Sequence, residues 1–128
     1  MASEKKYYTK DHDWIRLKDG KAYIGKTEFG LRNIGDMILI DLPSENEEVT
    51  EGDEIAYLEG AKGTISVCAP FGGIIAEINE DLLDKPEHLN KKCESTFIVA
   101  IFSEDGYDTS ECLNNDEYED YMFILSAE

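Results

Sequence analysis

A chain of 128 residues has room for one hydrophobic core and too little for two, and 41% apolar with 10% aromatic residues belongs to a folded protein. A formal charge of -17 excludes nucleic acid as a partner, because its phosphates would be repelled, and favours partners whose docking sites have basic rims. No apolar run nears the roughly 20 residues of a membrane helix, and Met1-Ala2-Ser3-Glu4-Lys5-Lys6 has neither the apolar core of a secretory signal nor the arginines of an organelle presequence, so the chain reads as soluble and intracellular.

Taken in order, strands dominate. Tyr7-Tyr8-Thr9 and Trp14-Ile15-Arg16-Leu17 are two short candidates, and Asp19-Gly20, a strong hairpin dipeptide, turns the second into Lys21-Ala22-Tyr23-Ile24-Gly25. Thr27 can cap a helical turn reaching Asn33, with Gly35 just past its end. Met37 to Leu42 is a strand stopped by Pro43, and Ser44 to Glu48 is a polar surface loop.

Ile55 and Tyr57, then Ile65 and Val67, alternate at the period of half-buried strands. Between them Gly60 and Gly63 bracket Ala61-Lys62, a two-residue loop suited to a hairpin. A lysine at such a bend cannot pack inward, and its ammonium stands at the far end of a stiff ribbon. By itself that carries little weight, because exposed lysines at turns are routine.

Beyond Pro70, Phe71-Gly72-Gly73 turns into the strand Ile74 to Ile78. Asn79 can cap a short helix through Asp84 that carries Leu82 and Leu83 inward, and Pro86 permits a second helical start. Cys93 to Thr96 and Glu104 to Ser110 are loops flanking the apolar core strand Phe97 to Phe102. From Asn115, Tyr118, then Tyr121 or Met122, and Leu125 recur at helical spacing, and Asp116, Glu117, Glu119 and Asp120 fall early, where the helix dipole favours them. The expected fold is mainly β, a flattened barrel or sandwich with a few short peripheral helices and a C-terminal helix, forming a single domain over residues 1–128.

Groups able to do chemistry are sparse. Cys68, Cys93 and Cys112 form an odd set without a Cys-x-x-Cys pair, which fits neither a disulfide framework nor a zinc ribbon and indicates a reducing compartment. His12 and His88 lack ligand spacing. No set of acid, base, nucleophile or metal ligands converges, so neither an enzyme nor a metal site is expected.

Tyr8-Thr9-Lys10-Asp11-His12-Asp13-Trp14 resembles the Y-T-x-x-H-[DE]-W signature of the glycine cleavage system H proteins. Further segments follow in that family's order: Gly25-Lys26-Thr27-Glu28-Phe29, Leu31 through Gly35-Asp36, Leu42-Pro43, Val49 through Asp53, Leu58-Glu59 with Lys62 three residues on, Ala69-Pro70, Gly73, and Ile78-Asn79 with Leu82. The likeness covers residues 7 to 102, with a looser match to the acidic tail. It implies a lipoyl/biotinyl-type β-barrel sandwich hybrid and a non-catalytic lipoyl carrier. Lipoate would be bound covalently through Lys62, and Glu59 would help a lipoate-attaching enzyme recognise the site. The arm would reach on the order of 10 to 15 Å and act as a tethered substrate.

The partners implied are glycine dehydrogenase (decarboxylating), which loads the aminomethyl group of glycine, a folate-dependent aminomethyltransferase, and dihydrolipoyl dehydrogenase. A lone carrier is expected to be a monomer, placed in the cytoplasm of a bacterium or the mitochondrial matrix of a eukaryote. The likeness has gaps. Where the family usually shows E-S-V-K-A, this chain has Glu59-Gly60-Ala61-Lys62-Gly63, and two glycines there are expected to loosen the bend. The family's P-Y-G-x-G-W segment is missing, and Lys92-Cys93-Glu94-Ser95-Thr96-Phe97 stands in its place. These departures leave open an H-like paralogue that relays lipoate to other enzymes or serves redox signalling. An unmodified interaction domain also stays open. Ala61 and Gly63 count against a biotinyl carrier, which prefers methionine beside its lysine.

Overall fold

Asp19 and Gly20 both take positive φ, 54° and 79°, as the favoured two-residue hairpin turn requires. They join β2 (Asp13–Lys18) to β3 (Lys21–Lys26), and β1 (Lys5–Tyr8) lies along the other edge of β2. In the computed structural model, which describes residues 5–126, these strands belong to a sheet completed by β5 (Glu48–Val49), β8 (Gly73–Ile78) and β9 (Val99–Phe102), in the order β1-β2-β3-β9-β8-β5. A second sheet runs β4-β6-β7, from β4 (Met37–Asp41), β6 (Glu54–Gly60) and β7 (Gly63–Cys68). Every pairing in both is antiparallel.

One apolar core lies where the sheets face each other. Ile15, Ile24, Ile75, Val99 and Ile101 come from the larger sheet, Ile40, Leu58 and Val67 from the smaller, and all are essentially fully buried in a single cluster. Each such side chain contributes about 1.5–3 kcal/mol by leaving water. The helices cap the margins: α1 (Glu28–Leu31), α2 (Asp81–Asp84), α3 (Glu87–Lys92) and α4 (Asn115–Ser126). Leu31, Leu82 and Leu89 pin the first three to the core. The fourth docks separately, with Tyr118 in a smaller cluster beside Tyr8 and Trp14.

The mainly β architecture with peripheral helices is as expected, and several details differ. Tyr57 points to solvent instead of inward, because β6 is irregular between Glu54 and Ala56 and the inward positions become Ala56 and Leu58. Leu83 is exposed beside buried Leu82, since a single-turn helix offers the core only one side. Asn79 caps nothing; its side-chain amide donates to the Phe97 carbonyl at 2.7 Å and ties β8 to the segment before β9. Glu48 and Val49, at the end of the expected loop and beyond it, form the edge strand β5.

A braced lysine at a hairpin tip

β6 and β7 pair up to Gly60 opposite Gly63, leaving Ala61 and Lys62 as the two-residue loop. Neither residue has positive φ, so this is not one of the primed turns usual in such hairpins. Its shape is imposed by contact with the segment after α1. The Ala61 amide donates to the Asp36 carbonyl at 2.9 Å, and the Lys62 amide donates to the Ile34 carbonyl at 2.8 Å. A Cβ on Gly60 would overlap that same Ile34 carbonyl oxygen, so the glycine is what lets the two backbones meet. The expected loosening of the bend by glycine is therefore reversed. Gly60 permits a brace.

Gly35 lies in the left-handed region, with φ +76, and a Cβ there would come within 3.1 Å of Lys62 Cγ. Its missing side chain leaves a seat for the lysine stem. The loop is held in turn from α3, where Asn90 Oδ1 accepts from the Met37 amide at 2.7 Å and Asn90 Nδ2 donates to the Gly35 carbonyl at 3.2 Å. Ile34, Gly35, Asp36 and Asn90 thus position the tip. Gly35-Asp36 stood in the sequence as part of a resemblance, and nothing local in the sequence marked Asn90.

Lys62 itself is exposed, and among the described residues no hydrogen bond or ion pair engages its ammonium. Glu59 is half-buried, opposite Leu39 on one side and Thr64 on the other. The two share one hairpin without forming an ion pair. A fixed backbone with a free amine at its end suits covalent attachment, because a modifying enzyme can take the side chain without disturbing the sheet.

The Tyr8-to-Trp14 stretch makes a corner elsewhere. Thr9 Oγ1 accepts from the Asp11 and Asp13 amides, both at 3.2 Å, and His12 takes φ 66. Trp14 is buried across Gly25, and its indole donates to the Cys93 carbonyl at 2.9 Å. Beneath the corner, buried Asp13 and Lys26 form an ion pair with Oδ1 2.7 Å from Nζ. Burial raises the Asp13 carboxyl to about 6 against the pull of Lys26. Burial and then Lys26 lower His12. Thr27 gives its one hydroxyl proton to the His12 carbonyl (3.1 Å), so Tyr118 donates to Thr27 (2.8 Å) and accepts from His12 Nδ1–H (2.9 Å). This network fastens α4 to the first two hairpin strands.

Cys68, Cys93 and Cys112 are free thiols, and burial raises all three. Among the described residues no group of His, Cys, Asp or Glu gathers to hold a metal ion, and no helix is long and apolar enough to cross a membrane.

Two small antiparallel sheets over a shared core, with a lysine on the tip of one hairpin, define the lipoyl/biotinyl-type class of carrier fold. The family model described as glycine cleavage H-protein matches residues 6–123. The chain belongs to that family. It is 36% identical over 118 residues to glycine cleavage system H protein 4 of Aquifex aeolicus, covering 91% of this chain and 69% of that one. It is equally 36% identical over 121 residues to the glycine cleavage system H protein of Clostridium botulinum strain Loch Maree, covering 94% and 93%. The crystal structure of a glycine cleavage system H protein from Mycobacterium marinum has the same fold, with a TM-score of 0.82 and 24% identity over 95% of this chain and 99% of that one.

Proposed function

We propose that Lys62 carries lipoate in amide linkage and that this chain, a carrier of the glycine cleavage system and not one of its catalysts, presents the arm to the enzymes of that system in turn. The observation that supports this most is the exposed, unengaged Lys62 side chain on a backbone braced at both loop amides. Family membership supports the same reading. For attachment the Lys62 ammonium first gives a proton to solvent or to a base of the attaching enzyme. Nζ then bonds to the carboxyl carbon of an activated lipoate, such as its acyl adenylate, the activating group leaves with the electron pair, and Nζ gives its second proton to solvent or to the same base. Bound there, lipoate would supply a disulfide able to take up and release the aminomethyl group of glycine.

This chain's residues hold and present. Gly35 seats the lysine stem, Ile34 and Asp36 fix the direction of the bend, and Glu59 offers a carboxylate to the attaching enzyme. Glycine dehydrogenase (decarboxylating), aminomethyltransferase and dihydrolipoyl dehydrogenase are the clients in this reading, and residues 1–128 act as one monomeric carrier domain. A second reading, relay of lipoate to other enzymes, is favoured by the altered tip, where a side chain in place of Gly60 has no room, and by Lys92 to Phe97 standing where the family has another segment.

The test is Lys62→Arg, which keeps the charge and removes the nucleophile. As a surface change it should cost under about 0.5 kcal/mol. After incubation with lipoate, ATP and a lipoate ligase, intact-mass measurement should show one lipoyl group on the parent and none on the variant. Equal labelling would sink Lys62 as the attachment point. Loaded parent that glycine dehydrogenase fails to use would move the assignment to relay.

A further inference from the structure

The ladder between β4 and β6 breaks register once. Met37 stands opposite Gly60 and Leu39 opposite Glu59, which leaves Ile38 as an extra residue, a β-bulge. On a regular strand successive side chains alternate between faces. Here Met37 and Ile40 are both buried, while the two residues between them, Ile38 and Leu39, are 57% and 50% exposed. The bulge thus turns two consecutive aliphatic side chains to solvent. On the same outer face Tyr57, 40% exposed, sits between Asp41 and Ser66, and Glu59 sits between Leu39 and Thr64. The result is an apolar patch of Ile38, Leu39 and Tyr57 interleaved with the carboxylates of Glu59 and Asp41.

We propose that this bulge-presented patch is the docking surface for the enzyme that acylates Lys62, a partner with an apolar contact centre and a cationic rim. The proposal rests on reading Lys62 as the attachment point. Distance supports it. Leu39 is a cross-strand neighbour of Glu59, at about 5 Å between Cα atoms, and Glu59 is three residues from Lys62, at most about 10 Å. A standard interface covers about 800 Å² on each partner, a disc of radius about 16 Å. An enzyme centred on Lys62 therefore covers Ile38 and Leu39, and reaches Tyr57, five residues from Lys62 and up to about 17 Å away, at its rim.

Chemistry narrows the occupant. Interface energy concentrates in buried aromatic and aliphatic anchors, and Tyr57, Leu39 and Ile38 supply them. Glu59 and Asp41 call for cations opposite. A second copy of this chain would bring another formal charge of -17 to the same face, which opposes self-association through it. Enzymes that act on the loaded arm work at its far end, about 10–15 Å beyond the backbone, and can do so without touching the root of the hairpin. The attaching enzyme must reach Nζ itself.

The experiment measures acylation kinetics with a lipoate ligase while the concentration of unmodified carrier is varied. In the double variant Ile38→Thr/Leu39→Thr, β-compatible residues replace the patch. KM for the carrier should rise about tenfold with kcat unchanged, while reductase turnover of the preloaded variant stays at the parent value. Ile74→Thr/Phe102→Thr, which removes an exposed apolar pair from the other sheet, should leave KM unchanged. Should the first variant not fold by circular dichroism, Leu39→Gln alone should raise KM severalfold. An unchanged KM in the patch variant, an equal rise in the control, or a parent dimer that the patch variant dissociates would each overturn the docking assignment. Parent modified at Lys62 alongside any of these results leaves the carrier reading intact. Parent left unmodified, or modified elsewhere, overturns that reading and the docking proposal with it.

Discussion

Burial and the Lys26 ammonium pull Asp13 in opposite directions, and burial wins, raising the carboxyl from 3.8 to about 6. Between those values the folded state keeps a proton that the unfolded chain has released. Ionised Asp13 therefore subtracts stability above pH 6, and the loss is recovered as pH falls toward 3.8. His12 runs the other way: its pKa is lowered in the fold, so stability is lost as pH falls below 6.5. The wild-type profile mixes the two, and a variant separates them. Lys26→Met removes the cation that offsets burial and leaves a carboxylate alone in the core, at a cost of about 3–5 kcal/mol near pH 8. That deficit should shrink toward pH 5, because Asp13 then protonates and because Lys26 no longer depresses His12. Urea midpoints of parent and variant from pH 8 to 5 provide the measurement, and a gap constant with pH would rule out burial as the cause. Tyr118→Phe probes the same cluster from α4. It strips two hydrogen bonds and leaves His12 Nδ1–H unpaired, for an expected loss of about 1–3 kcal/mol read by the same titration.

At the scale of elements, the tip hairpin depends on a backbone-to-backbone approach that only glycine at 60 allows. Gly60→Ala would force its methyl into the Ile34 carbonyl and push β6 away from the loop, at about 1–3 kcal/mol. The local signature matters more than the total. Amide exchange at Ala61 and Lys62 should quicken as their bonds to Asp36 and Ile34 open, while exchange at Ile24 and Val99 in the larger sheet changes little beyond the global shift. Strands with clear alternation or strong turn dipeptides, such as β2 and β3 around Asp19-Gly20, were legible in the sequence, because their geometry is fixed within a few residues. So was Lys62 between its glycines. Three features were not. β5 is two residues long and leaves no period to read. The bulge at Ile38 is a relation between two strands and has no signature on either. Asn90 and Asn79 act through side-chain amides on backbone far away in sequence, and a polar residue looks the same in a sequence whether its partner is water or a carbonyl across the fold.

Over the whole molecule, the proposed acylation of Lys62 would remove one ammonium and take the formal charge from -17 to -18, a change of one unit in seventeen. The long-range field is therefore nearly the same before and after loading, and it cannot tell a partner which form it has met. If the field of the chain steers it to basic docking sites, it would bring unmodified and loaded carrier there at similar rates, and the choice between them would be made in contact, at the tip. Both kcat/KM for acylation by the ligase and kcat/KM for reduction of the loaded arm should then fall with rising salt, and with similar slopes. Raising ionic strength from 0.01 to 1 M cuts the Debye length from about 30 to about 3 Å, which is enough to silence charges set back from the contact. Flat profiles would remove steering. A steep profile for one enzyme and a flat one for the other would place the charge recognition in local groups such as Glu59 and Asp41, and not in the field of the chain.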